Sequence, residues 1–130
     1  TPREAVFGEM TFHDYYDPRR SVRTERYKLI VNFSSAPAFM NPSQSWRPRS
    51  DTVAPPDPAR AYHPLLELYD LQEDPWERVN LAGKESHAAV LGEMQALLAQ
   101  HLRQTRDPIL AGGVTSPMHR RAIEWLSPRR

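Results

Sequence analysis

The periodicity of the apolar residues changes in the middle of this chain. Before residue 72, apolar and polar residues alternate over short segments, a pattern typical of strands with one buried face. After residue 85, apolar residues recur at helical spacing instead. The sequence therefore predicts an α+β fold, in which a four-stranded antiparallel sheet is covered by a long C-terminal helix as a two-layer sandwich.

The expected elements fit a single domain over residues 1–130. We expect strands near 4–12, 20–24, 27–33 and 66–71, a helix over 86–105 and a short helix over 117–126. Prolines recur from Pro37 to Pro58, which predicts a long proline-rich loop over residues 34–64.

Several local patterns carry their own predictions. Gly8 interrupts the first strand and indicates a β-bulge there. Asp74, Pro75 and Glu77 form the pattern of a capping box at the start of a helical turn. The two tryptophans outside the proline-rich loop, Trp76 and Trp125, are assigned to the core.

Composition excludes some function classes. The net charge is +1, so no global field attracts nucleic acid, and we predict no nucleic-acid partner. No apolar run approaches the length of a membrane span, so no membrane role is expected. The chain contains no cysteine, which excludes disulfides and thiolate chemistry within it.

A cluster of arginines is the main candidate for binding an anion. Arg19, Arg20 and Arg23 lie close together in sequence, and guanidinium groups form forked pairs with sulfate, phosphate or carboxylate. The alternative is a solvated strand face, with side chains pointing outward or in weak surface pairs. The residues alone leave both interpretations open.

A second group of polar residues precedes the arginines. Glu9, His13, Asp14 and Asp17 have the side chains of acid–base catalysts or metal ligands. No second cluster at ligand-like spacing accompanies them, so we predict no catalytic residue and no metal site within this chain. Trp46, in the proline-rich loop, is a candidate either to cover a saccharide or to pack on a neighbouring domain.

Three blocks of sequence carry a family resemblance. Residues 67–82 contain the pattern Glu-Leu-Tyr-Asp-Leu, Asp-Pro, Glu and Asn-Leu-Ala, residues 18–33 contain Val-Arg-Thr-Glu-Arg-Tyr-Lys-Leu-Ile, and a helix runs into Thr-Arg-Asp-Pro at 105–108. In order and spacing these blocks resemble the C-terminal subdomain of sulfatases, members of the alkaline-phosphatase-like superfamily. They are most similar to heparan N-sulfatases (sulfamidases).

The resemblance implies a non-catalytic part of a larger enzyme that hydrolyses a sulfate ester or sulfamate. Sulfatases use a formylglycine made from a Cys- or Ser-x-Pro-x-Arg motif, together with a calcium ion. This chain lacks the motif, because the proline of Ser45-Trp46-Arg47-Pro48-Arg49 comes one position late. Calcium and formylglycine are therefore expected in the parent enzyme and not in this chain.

The resemblance also implies partners and a role. The expected partners are an N-terminal catalytic domain of the same chain, a sulfated saccharide and, for the isolated piece, a second copy of itself. The sheet and helix would brace the catalytic domain, while Glu9, His13, Asp14 and Trp46 would lie near the substrate. Many sulfatases are periplasmic, secreted or lysosomal, but the compartment of this chain is left open.

One alternative from another function class remains. The chain would then be a stand-alone binding module for anionic glycans or for a protein partner, and it would use the arginines and Trp46 without catalysis. Retention on heparin at physiological salt is the observation that separates the two hypotheses.

Overall fold

The computed structural model describes residues 3–12, 16–36 and 61–127. Its elements, in chain order, are four strands, Val6–Phe12 (β1), Tyr16–Arg23 (β2), Tyr27–Asn32 (β3) and Leu66–Asp70 (β4), and two α-helices, Ala88–Gln104 (α1) and Pro117–Leu126 (α2). Short 3-10 helices, Glu85–His87 and Pro108–Ala111, precede α1 and α2. The predicted α+β class with a four-stranded antiparallel sheet is confirmed. Most of the expected proline-rich loop lies outside the described residues.

The sheet is an antiparallel meander in which β1 to β4 lie side by side in chain order. Val22 lies opposite Leu29, and Leu29 opposite Leu68, so the three side chains form a row on one face. All three are at most 1% exposed, and we call this side of the sheet the buried face. Such rows of cross-strand contacts are the main source of sheet stability.

The opposite side of the sheet carries every second side chain of each strand, and it is more polar. We call it the polar face, and its members are Val6, Gly8, Met10, Arg19, Ser21, Arg23, Lys28, Ile30, Asn32, Glu67 and Tyr69. Most of these residues are exposed or half-buried, and Asn32 alone among them is almost completely buried.

The bulge in the first strand is not at Gly8. The register shifts between Met10 and Phe12, whereas Gly8 pairs regularly with Ser21. A Cβ atom added at Gly8 would lie 2.7 Å from Oγ of Ser21. The glycine therefore gives room for the Ser21 hydroxyl rather than for a bulge, and the predicted position was wrong.

The segment after β4 forms turns and not the predicted capping box. Oδ2 of Asp74 accepts from the amides of Arg78 at 2.6 Å and Val79 at 2.8 Å, which are too far along the chain for a helix cap. Glu77 adopts a φ of 53°, and its carboxylate accepts from Nζ of Lys28 at 2.7 Å. The amide of Glu77 donates to the carbonyl of Asp74 at 3.1 Å, so one turn forms, but no helix follows it.

The outer edge of β4 is covered by the Asn-Leu-Ala segment. Oδ1 of Asn80 accepts from the amide of Leu68 at 2.9 Å, and its Nδ2 donates to the carbonyl of Leu66 at 2.9 Å. The amide of Leu81 donates to the carbonyl of Leu68 at 2.8 Å. These bonds satisfy edge groups that would otherwise remain open to another strand.

The chain divides into two units, Thr1–Gln100 and His101–Arg130. In the first unit, Met94 and Leu98 of α1 are each 3% exposed, which agrees with a helix that has one apolar stripe. In the second unit, Leu102 and Ile109 are buried. Each unit therefore has apolar side chains of its own removed from water.

Helix α2 carries an apolar side that is exposed in this structure. Its large apolar residues are between 53% and 82% exposed, namely Met118, Ile123, Trp125 and Leu126. Trp76, in the first unit, is 76% exposed, so the assignment of both tryptophans to the core was wrong. Neither helix in the described part of the chain has the length and hydropathy needed to span a bilayer.

Candidate functional site

Strand β2 separates the three arginines that the sequence grouped together. Arg19 and Arg23 lie on the polar face, whereas Arg20 lies on the buried face and is 3% exposed. Nη1 of Arg20 donates to the carbonyls of Met10 at 2.8 Å and Arg19 at 2.9 Å. Its Nη2 donates to Oγ1 of Thr11 at 3.1 Å. These bonds tie β1 to β2, and anion binding by the cluster stays a prediction.

The residues expected near substrate are only partly described. Glu9 lies on β1 opposite Arg20 and is exposed. His13, Asp14 and Trp46 lie outside the described residues. Proximity of these four residues to substrate therefore stays a prediction.

Arg19 joins two distant parts of the chain on the polar face. Its Nε donates to Oδ2 of Asp17 at 3.1 Å, and its Nη2 contacts both Asp17 and Nε2 of His63, which is 44 positions away. Asp17 is 1% exposed, and its Oδ1 accepts from Oγ of Ser34 at 3.4 Å. The guanidinium is thus held between a buried carboxylate and an imidazole.

The contact with Arg19 sets the protonation state of His63. A guanidinium has only donors, so Nε2 of His63 must accept, and the ring is neutral with its proton on Nδ1. Burial lowers the pKa of His63, and the charge of Arg19 lowers it further, against the opposing effects of Glu67 and Asp17. Nδ1 lies 3.9 Å from Oε2 of Glu67, which is beyond hydrogen-bond distance.

Glu67 connects the imidazole to the side chains of the neighbouring strands. Its Oε2 accepts from Nδ2 of Asn32 at 2.7 Å, and its Oε1 accepts from the hydroxyl of Tyr69 at 2.7 Å. Burial raises the pKa of Tyr69 well above its ordinary value, and the hydrogen bond to Glu67 adds to this rise. Tyr69 is therefore a neutral hydrogen-bond donor at physiological pH.

Asn32 is the most enclosed member of this network. It is 3% exposed, and its Nδ2 donates to the carbonyl of Pro64 at 2.8 Å as well as to Glu67. Because both partners are acceptors, the orientation of the amide is determined. Its Oδ1 is buried and has no hydrogen-bond partner among the described residues.

Two depressions adjoin the network. One of about 290 Å³ lies over the strands and is lined by Gly8, Glu9, Met10, Arg19, Arg20, Ser21, Lys28 and Ile30. The other, of about 250 Å³, is called here the Asn32 cavity and is lined by Asn32, Phe33, Ser34, Ser35, His63 and Leu65. The Asn32 cavity thus places hydrogen-bonding groups beside the exposed apolar side chains of Phe33 and Leu65.

Sequence reasoning selected Arg19 but missed Asn32, His63 and Glu67. One signal was available in the sequence. His63 lies three residues before β4 and Glu67 lies within it, so the two side chains are four positions apart. The proximity of this pair to Arg19 and Asn32 depends on strand pairing over more than 30 residues, which no local pattern contains.

Comparison with known proteins finds a relative among the sulfatases. The chain is 34% identical over 74 residues to the ulvan-active sulfatase of Formosa agariphila. It resembles sulfatases in sequence. The match covers 56% of this chain but spans only 15% of that sulfatase. No protein-family profile matches the chain.

Two solved structures share the fold, and one of them is a sulfatase. A 2-O GAG sulfatase superimposes with a TM-score of 0.57 at 24% identity, over 92% of this chain and 20% of its own. A second structure, solved in complex with its substrate D-glucosamine-2-N,6-O-disulfate, gives a TM-score of 0.54 at 20% identity, over 81% of this chain and 16% of its own. The chain thus has the fold of a small part of each of these structures.

The described residues do not fit the catalytic groups that sulfatases use. Residues 3–12, 16–36 and 61–127 contain no group of three or more His, Asp or Glu side chains placed to hold a metal ion. The sequence has no cysteine and no Ser-x-Pro-x-Arg motif to become formylglycine. The absence of calcium and formylglycine from this chain stays a prediction, because residues 13–15 and 37–60 lie outside the described part.

Proposed function

We propose that this chain is the C-terminal part of a sulfatase, an enzyme that hydrolyses a sulfate ester or sulfamate. The observation that carries the proposal is the coverage of the matches. Between 81% and 92% of the chain superimposes on two solved structures, one of them a 2-O GAG sulfatase, while filling only 16–20% of each. The sequence similarity to a further sulfatase supports the same assignment.

In this proposal the chain itself is non-catalytic. The sheet and α1 brace a catalytic domain that supplies formylglycine and calcium, and the loops at residues 9–17 and 34–64 shape the substrate cleft. Glu9, His13, Asp14 and Trp46 are the residues proposed to approach the substrate, a sulfated saccharide. We propose further that the enzyme is most similar to heparan N-sulfatases. This part of the proposal rests on the three sequence blocks alone.

The ion pairs argue against the alternative, a stand-alone module that binds anionic glycans. Arg19 pairs with Asp17, Arg26 with Asp70 and Lys28 with Glu77. A polyanion would have to compete with carboxylates that already hold these cations. Arg20 is enclosed between β1 and β2, which leaves Arg23 as the exposed member of the predicted anion cluster.

Two measurements test the proposal. An antibody raised against this chain should detect, in the source cells, a native protein several times larger than 15.0 kDa. Peptide mapping of that protein should then find formylglycine in a segment outside these 130 residues. A native protein of about 15 kDa that is retained on heparin at physiological salt would overturn the proposal in favour of the binding module.

A further inference from the structure

We propose that the apolar side of α2 docks into an apolar groove with an acidic rim, on the part of the same polypeptide that lies outside these 130 residues. This inference rests on the proposed function, in which this chain is one part of a longer enzyme. It goes beyond that function by assigning a partner surface to α2, a helix to which the proposed bracing role does not extend.

The first argument is the distribution of residues around α2. At about 100° per residue, one side of the helix is apolar, with its smallest residue at the centre. This side consists of Met118, Ala122, Trp125 and Leu126. Arg121 lies on one edge of the apolar side and His119 on the other, whereas the acid of the helix, Glu124, lies opposite. An apolar side without an acid at its edges and with an arginine at one of them is complementary to an apolar groove with an acidic rim.

The second argument is the exposure of this side in the described part of the chain. No residue of α2 is buried, and its apolar residues include Met118 at 71% exposed, Trp125 at 82% and Leu126 at 68%. In α1, by contrast, Met94 and Leu98 are each 3% exposed. Apolar residues that are exposed together on one side of a helix, rather than singly, mark an interaction surface.

The third argument is the length of α2. A helix of ten residues is marginal in water when it is isolated, because few hydrogen bonds offset the cost of nucleation. Oγ of Ser116 accepts from the amide of His119 at 3.1 Å, and Pro117 is the first helical residue, so the N-terminus is capped. A cap stabilises one end, but most helical stability in proteins comes from packing of the apolar side. We therefore expect α2 to need a partner along that side.

The coverage of the comparisons favours a partner within the same polypeptide. This chain spans 15% of the sulfatase that it resembles in sequence and 16–20% of the two structures that share its fold. In the proposed parent enzyme, most of the polypeptide therefore lies outside this chain and is tethered to it. A short tether gives a millimolar effective concentration. A groove on the tethered part is thus favoured over a second copy, which has to arrive by diffusion.

The test uses the natural protein that carries this chain. Hydroxyl-radical labelling, read by mass spectrometry, measures the oxidation rate of Trp125 in the native protein and in urea. Trp125 should be labelled roughly tenfold more slowly in the native protein, as expected if the helix is undocked less than about a tenth of the time. Because Trp125 is 82% exposed among the described residues, such protection requires a contact that they do not make.

A photo-cross-linker identifies the partner. Met118→benzoylphenylalanine introduces a reactive group on the apolar side of α2. After irradiation of the native protein, it should be joined to a peptide from outside these 130 residues.

Two matched variants test which side of the helix is used. Ala122→Glu introduces a charge at the centre of the apolar side and should raise the labelling rate of Trp125 roughly tenfold, because an unpaired carboxylate is costly to bury. Arg120→Glu introduces the same side chain on the opposite side and should leave Trp125 protected. Met94, which is 3% exposed, should stay protected in both variants and shows that the first unit remains folded.

The inference is overturned if Trp125 is labelled equally fast in the native protein and in urea, or if the two variants expose it equally. A cross-link to a peptide within residues 1–130, or protection only after addition of phosphatidylglycerol vesicles, would also overturn it by assigning another occupant. A native protein much larger than 15.0 kDa that contains formylglycine and has an unprotected Trp125 would overturn the docking but not the sulfatase assignment. A native protein of 15.0 kDa would overturn both.

Discussion

The guanidinium of Arg26 holds the carboxylate of Asp70 across 44 positions of sequence, from Nε at 3.1 Å and from Nη2 at 2.7 Å. Arg26 lies in the turn between β2 and β3, and Asp70 ends β4. The same carboxylate accepts from the amides of Gln72 and Glu73, so it also organises the turn that follows. The ion pair thus closes one end of the β3–β4 pair, where Tyr27 lies opposite Asp70.

This pair predicts a loss of stability in acid. The hydrogen bond from Arg26 lowers the pKa of Asp70 below its ordinary value of 3.8, and the two amides lower it further, against the effect of burial. Its contribution is therefore present above pH 3.8 and is lost as the pH falls through the lower folded pKa. Asp70→Asn should destabilise the chain at pH 7, with a difference from wild type that narrows in acid.

Urea unfolding at a series of pH values measures this difference. Glu4→Gln, at an exposed position, serves as the control and should run parallel to wild type at every pH. A difference between Asp70→Asn and wild type that stayed constant down to the lowest pH would contradict the proposed role of the carboxylate.

His63 should remain neutral below its ordinary pKa of 6.5. Burial and then the charge of Arg19 lower its pKa, so the unfolded chain binds the proton first and stability falls as the pH drops below 6.5. NMR of the ring should show the tautomer with the proton on Nδ1. Arg19→Met should raise the pKa towards 6.5, because one of the two causes is removed.

Arg23→Met is the control for that experiment, since Arg23 shares the polar face but is exposed. This substitution should leave the pKa of His63 unchanged. A proton found on Nε2 in the wild-type chain would rule out the contact with Arg19 as described.

The buried row of the sheet predicts a large difference between two neighbouring leucines. Leu68 is 0% exposed, and Leu68→Ala should lower the free energy of unfolding by about 2–5 kcal/mol, through lost burial and a residual cavity. Leu65 is 69% exposed, and Leu65→Ala should change the free energy of unfolding by less than about 0.5 kcal/mol. Equal losses in the two variants, measured by denaturant unfolding, would show that the strand register is different.

The end of α1 predicts a stabilising substitution. The amide of Asp107 donates to the carbonyl of Leu102 at 2.9 Å and that of Arg106 to Arg103 at 3.2 Å, which is the bonding of a Schellman motif. Arg106 occupies the position usually held by glycine, with a φ of 53°. Arg106→Gly should therefore raise the free energy of unfolding by about 1 kcal/mol.

The matched control lies one turn earlier. Arg103→Gly is inside α1, where glycine has no conformational advantage, and it should lower the free energy of unfolding by about 1 kcal/mol. If the backbone of Arg106 is strained, thermal unfolding should show a higher midpoint temperature for Arg106→Gly and a lower one for Arg103→Gly. Shifts of the same sign would show that the helix ends elsewhere.

The candidate site could be predicted only in part. Arg19 was selected because arginines cluster near it in the sequence. The tertiary structure shows that Arg19 contacts His63 and that Arg20 lies on the opposite face of the sheet. Asn32 carried no signal, because its importance comes from burial and from an oxygen without a partner, and both depend on the fold. Anion binding and proximity to substrate remain predictions for the residues first selected.

The sequence by itself determined the class of each element, because alternation and helical spacing are local properties of the chain. Alternation in the sequence also places Leu29 and Leu68 on the apolar side of their strands, and both side chains are buried. Only the tertiary structure decided which polar groups meet. Lys28 pairs with Glu77 and Arg19 with His63 because the meander brings together residues more than 40 positions apart, a distance over which no sequence periodicity extends.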